Sequence, residues 1–212
     1  METKRELLEP ESWAGVLKLC ASAMQVAVAL VDPDGQLLGI CHNPQPIWSL
    51  ARDAKPKWGA GCPFCLNPGE NTTGPCTAAA DALRTGSVVL AHDRGGFAHV
   101  ALPLYLGPEH FGTLLAGQVF DRYPDPLAME QIAKDFGLSA ERLWNIARYQ
   151  DPVSSSTLKL GGSLLHTLGQ ALLGQRYGMI LESKLATTDA ELHSTNKKLK
   201  HANSNQIGRA HV

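Results

Sequence analysis

The chain has 212 residues, 44% of them hydrophobic and 18% charged, which suits one domain with an apolar core and an extension. Its formal charge of −1 excludes strong electrostatic attraction to nucleic acid or anionic membranes. The charged start, METKRELLEP, is unlike a signal peptide, and no apolar run is long enough to span a bilayer, so a cytoplasmic protein is expected. In that compartment the five cysteines favour thiols or metal ligands over disulfides.

Residues 10–24 read as a helix. Pro10 suits the first turn, and Trp13, Val16, Leu17, Cys20 and Met24 recur at helical spacing, with Cys20 as core filler. Gln25–Val31 and Gln36–Cys41 are strand-like and flank Asp32-Pro33-Asp34-Gly35, a tight-turn sequence, so a hairpin is expected. Residues 43–60 read as loop, because Pro44, Pro46 and Pro56 interrupt them, and Trp48 and Trp58 read as packing residues.

A cysteine segment follows, with the spacing Cys62-x2-Cys65-x10-Cys76. Pro75 opens a helix that runs through Ala78–Arg84 to Gly86, which puts Cys76 in a first turn where the helix dipole lowers a thiol pKa. Ser87–His92, Phe97–Leu106 and Phe111–Phe120 are three strands joined by short Gly-containing turns, an antiparallel meander. With the first hairpin they give about five strands, enough for one sheet with helices on a face. Two short helices fill 125–150, the first from Pro126 to Gly137 and the second capped by Ser139.

From about Ser156 the chain reads as one long helix. Leu158, Leu165, Leu172 and Met179 are spaced by seven, as are Leu185, Leu192 and Leu199, but the step from Met179 to Leu185 is six. Two seams with a register break are therefore expected, the first packing on the domain or a partner and the second starting a parallel coiled coil. A homodimer through this helix follows from that reading, and a solvent-exposed helix ordered by its partner is the alternative. The last six letters, Ile207 to Val212, read like a translated sequencing adapter, so the chain is expected to continue beyond Gln206 into an output module.

Three thiols close in sequence support different chemistries. Cys62, Cys65 and Cys76, with His92 as fourth ligand, make a Cys3His set of the kind that holds zinc, and an iron–sulfur cluster uses similar ligands. Thiols lining a ligand pocket, or a disulfide, remain open beside the metal. His99 is a further candidate, although a single strand histidine is more often a hydrogen-bonded core or surface residue. Gln118, after Gly117 on the last strand, could bond a polar ligand group or satisfy the sheet backbone. Enzyme readings are thin. Cys65 with a histidine lacks a placed orienting Asn or Asp, no phosphate loop is present, and His166 lacks the acidic neighbour of a phospho-acceptor and reads as packing.

The order of these pieces carries a resemblance. A cysteine loop leads to a Cys-led helix ending in Thr85-Gly86, then a strand with Ala101-Leu102-Pro103-Leu104, then Phe111-Gly112-Thr113-Leu114-Leu115-Ala116-Gly117-Gln118-Val119-Phe120. Over about residues 8–150 this resembles the PocR sensory domain, most specifically at Cys65, Cys76, Pro103 and Gly117-Gln118. His92 stands where that family carries a cysteine. The resemblance implies an α+β, PAS-like antiparallel sheet with flanking helices, to which the leucine spacing adds a long C-terminal signalling helix over 156–206. It also implies a sensory input domain that binds a small molecule, in front of an output module such as a histidine kinase, and Cys65, Cys76, His92, His99 and Gln118 are the candidate ligand-binding residues. A zinc-stabilised interaction domain and a thiol enzyme are the alternatives.

Overall fold

The computed structural model describes residues 6–54, 64–66, 77–93 and 95–210, with side chains to residue 200. Helix α1 spans Pro10–Met24, with its proline in the first turn and Gln25 closing it in the left-handed region. Strands β1 (Ala27–Val31) and β2 (Leu37–His42) form the first hairpin. The Asp32 carboxylate fixes its turn by accepting from the backbone N–H groups of Asp34 and Gln36. Helix α2 (Pro46–Ala54) occupies part of the stretch expected to be loop. Pro46 is its first residue, a position that needs no backbone donor, so this proline starts the helix instead of breaking it.

Helix α3 (Thr77–Thr85) precedes the meander β3 (Val89–His92), β4 (Phe97–Leu106) and β5 (Glu109–Phe120). Helices α4 (Pro126–Phe136) and α5 (Ala140–Ala147) follow. Their caps are those the sequence signals: Asp125 accepts from Leu127 N–H, Gly137 is left-handed, and Ser139 accepts from Arg142 N–H. Helix α6 runs from Ser155 to Ala210.

The five strands make one antiparallel sheet in the order β2-β1-β5-β4-β3, and this α+β architecture is the fold class expected. Side chains alternate between its faces. On one face Ala27, Ala29, Val31, Ala101 and Leu115 pack under Phe64 and under Ala78, Ala79 and Ala82 of α3. On the other, α6 lies against the sheet through glycines: a methyl on Gly162 would meet Val100 and one on Gly169 would meet Leu114. A third cluster joins α2, α4 and α5 to the stacked rings of Phe97 and Phe120.

The chain divides into two compact units, Met1–Leu173 and Gly174–Val212. The first holds the sheet, its covering helices and the start of α6. In that start Leu158, Leu165 and Leu173 are buried. The second holds the remainder of α6. Among the described residues no helix is long and apolar enough to cross a membrane.

Candidate functional site

Strand β5 carries a defect that builds the site. Ala98 pairs with Val119 and His99 with Gly117, so Gln118 is the extra residue of a bulge. Gly117 has φ +147° and Gln118 has φ +61°. A methyl on Gly117 would lie 2.5 Å from both Ala98 O and His99 Cα, so the close strand approach requires glycine. The bulge re-aims the following amide. Gln118 is 0% exposed, its Oε1 accepts from Gln45 N–H at 3.0 Å, and its Nε2 donates to Cys41 Sγ at 3.9 Å. A buried amide on an apolar face needs such partners.

Cys41 is part of this arrangement. Burial pushes its thiol up to about 12, against the opposing pull of the Arg52 charge and the Gln118 bond. It is therefore a neutral, weakly bonding group, not a thiolate. Cys20, Cys41 and Cys65 are all thiols.

His99, directly across from Gly117, is 2% exposed. Its Nε2 is 3.9 Å from Cys65 Sγ, and its ring is tilted against Phe64 with centroids 6.2 Å apart. Asp93 ties this loop to the sheet. Its Oδ2 accepts from Leu66 N–H at 3.1 Å, and its Oδ1 accepts from the N–H groups of Gly95 and Phe97. Burial raises the Asp93 carboxyl above its ordinary range, while those three donors and nearby His99 pull it down.

His92 occupies a different place. It pairs with Ala98 while His99 pairs with Ala91, so the two histidines alternate to opposite faces. His92 Nε2 is 2.7 Å from Asp121 Oδ2, and the same oxygen accepts from the Ser155 hydroxyl at 2.8 Å. Burial raises the Asp121 carboxyl, but the bonds from His92 and Ser155, with the charges of His92 and Arg122, outweigh it and leave the carboxyl below its ordinary value. Beside this contact Val153 N–H donates to Phe120 O at 2.8 Å. The first turn of α6 is thus fastened to the end of the strand that carries Gln118.

Of the residues singled out in the sequence, Cys65 and His99 meet, Gln118 lies one bulge step from the partner of His99, and His92 faces Asp121. Cys62 and Cys76 lie outside the described residues. Among the described residues no group of three His, Cys, Asp or Glu side chains could hold a metal ion. His166 bonds the Pro103 carbonyl at 2.8 Å, which suits a packing position on the sheet. Sequence reasoning missed Cys41, Gln45, Asp93 and Asp121 as parts of these networks. Asp93 carried a signal, an aspartate opening a Gly-Gly turn, whereas Asp121 and Gln45 meet their partners only through the fold.

The model of the family described as "Sensory domain found in PocR" matches residues 6–177. No curated protein and no solved structure matches the chain. The family match takes in the sheet, the helices that cover it and the buried start of α6, so it coincides with the part of the chain that holds the site. The chain belongs to the PocR sensory-domain family.

Proposed function

We propose that this domain is the input module of a cytoplasmic signalling protein, a histidine kinase being the output favoured, and that it binds a small molecule on the sheet face beside Cys65, His99 and Gln118. The observation that carries this reading is the burial of His99 and Gln118 beside an apolar face that includes the small side chains of Ala27, Ala29, Ala91 and Ala101. Buried amide, imidazole and thiol groups on such a face can orient a small polar ligand by hydrogen bonds. The domain acts by binding, not by turnover.

The route of the signal in this reading is strand β5. A ligand that engages Gln118 biases one arrangement of the bulge, and Asp121, three residues on, passes the bias to Ser155 at the start of α6. The helix then acts on a second copy of the chain. Native mass spectrometry of the purified chain, with its absorption spectrum, tests the reading. A bound organic molecule that is lost in His99→Ala and in Gln118→Leu is expected. A chain that is ligand-free and takes up no compound from a library of small polar metabolites overturns it.

One observation favours a second reading, a zinc or iron–sulfur centre. The 3.9 Å between Cys65 Sγ and His99 Nε2 suits two ligands of one ion, with Cys62 and Cys76 available in sequence. Elemental analysis separates the two readings. Metal present in the purified chain and lost in Cys65→Ser and Cys76→Ser supports the second, and a metal content indifferent to both removes it.

A further inference from the structure

The two leucine series of α6 belong to different sides of the helix, and one of them never breaks. Leu158, Gly162, Leu165, Gly169 and Leu173 are buried. Counting in heptads from Leu185 as an a position gives another set. Its a positions are Leu164, Ala171, Gly178, Leu185, Leu192 and Leu199, and its d positions are Leu160, Thr167, Gly174, Leu181, Thr188 and Thr195. Every one of these is exposed except Gly178, which is half-buried. None is charged, although Lys, Glu and Asp crowd the helix on either side. The step of six between Met179 and Leu185 is therefore a change of face, not a break in register.

The threonines fit an apolar seam. The hydroxyls of Thr167, Thr188 and Thr195 donate to the carbonyls of Ser163, Lys184 and Glu191, four residues back. Burying these side chains leaves no hydroxyl hydrogen unsatisfied.

We infer that a second copy of this chain covers this seam as a parallel, in-register coiled coil, and that the seam begins inside the sensory domain at Leu160 and Leu164. A seven-residue apolar repeat is the surface that matches another such helix. Charge chooses the direction. In a parallel pair the residue before each a position faces, on the partner, the residue five further on. The pairs so formed are Gln170 with Gln175, Tyr177 with Glu182, Lys184 with Asp189, and Glu191 with Asn196. The doubly charged pair is attractive, and no pair sets like charges together. Over 158–173 the helix would then be held on one side by its own sheet and on the other by its partner. Gly174 and Gly178 mark where the two helices come closest, since neither has a side chain to hold them apart.

The inference rests on the reading of the chain as an input domain that acts through α6, but its test needs no ligand. Sedimentation equilibrium of the 212-residue chain should give a dimer at about 10 µM, and Leu185→Asp should weaken it at least about tenfold. Circular dichroism of that variant checks that the sheet domain stays folded, as Leu185 lies outside the unit that holds the sheet. Under mild oxidation Leu185→Cys should form a covalent dimer well above the level of the unaltered chain, and Ser183→Cys, two residues off the seam, should not. A monomer at about 100 µM, an unaffected Leu185→Asp dimer, or equal cross-linking at both positions overturns the inference. A monomer that still binds its small molecule removes the seam and leaves the sensor reading. A dimer that binds nothing does the reverse.

Discussion

Gly117 and His99 face one another across the β4–β5 ladder so closely that any side chain on the glycine would press into the histidine's own backbone. Gly117→Ala should therefore cost about 2–4 kcal/mol, from the positive φ and the forced shift of β4 together. Urea unfolding should show a lower midpoint at unchanged slope. A variant as stable as the parent would mean that the strands separate there at no cost.

Removing the Gln118 amide tests its role as a structural fastener. Gln118→Leu leaves the Gln45 N–H without its acceptor, a loss of about 1–3 kcal/mol. Gln118→Glu keeps an acceptor for Gln45, but when ionised it is a buried carboxylate that cannot donate to Cys41, so it should recover part of that loss only when its carboxyl is protonated. Stabilities of both variants at neutral and mildly acidic pH check this. If Gln118→Leu unfolds at the parent's urea midpoint, the amide is not a structural fastener.

The Asp121 contact predicts an acid-sensitive contribution. Its carboxyl lies below the ordinary value of 3.8 in the folded chain, so the stabilisation is present above that value and is lost as pH falls through the folded pKa. The stability difference between the parent and Asp121→Asn should hold its full size from neutrality down toward 3.8 and shrink as pH falls below 3.8. Ser155→Ala should reproduce part of the neutral-pH loss, because the same oxygen serves both partners. A difference that stays flat across that range would detach Asp121 from His92 and Ser155.

Cys41 predicts the opposite end of the pH scale. Its pKa rises on folding from 9.0 to about 12, so the folded chain holds the thiol proton where the unfolded chain releases it. That contribution is fully present below pH 9.0 and is lost as pH rises from there toward about 12. Cys41→Ala should flatten the alkaline fall in stability. Iodoacetamide at mildly alkaline pH should leave Cys41 unmodified in peptide mapping of the native chain and alkylate it after unfolding. Rapid native alkylation would show that the thiol is neither buried nor neutral.

Much of the fold was legible because its signals are local. The Asp32-Pro33-Asp34-Gly35 turn, the Pro126, Gly137 and Ser139 helix ends and the three-strand meander all stand where their residue types place them. Helix α2 was not legible, because Pro46 was read as a breaker when the same ring is equally at home as a first helical residue. The split of α6 into an inward and an outward face was also hidden, since a one-dimensional count of leucines cannot tell a change of side from a slip. In the site, reactive residue types drew attention to Cys65, His99 and Gln118. The Gly117–Gln118 bulge that turns the amide toward Cys41 leaves no pattern in the sequence. Neither does the long-range meeting of His92, Asp121 and Ser155.

Because α6 is one continuous helix from Ser155 to Ala210, angular phase along it becomes a design variable for anyone grafting a reporter onto this helix. Each residue added or removed at the splice turns everything downstream by about 100° and advances it about 1.5 Å. Fusions spliced one residue apart therefore present the graft on different sides of the helix, while those spliced seven apart present it on nearly the same side.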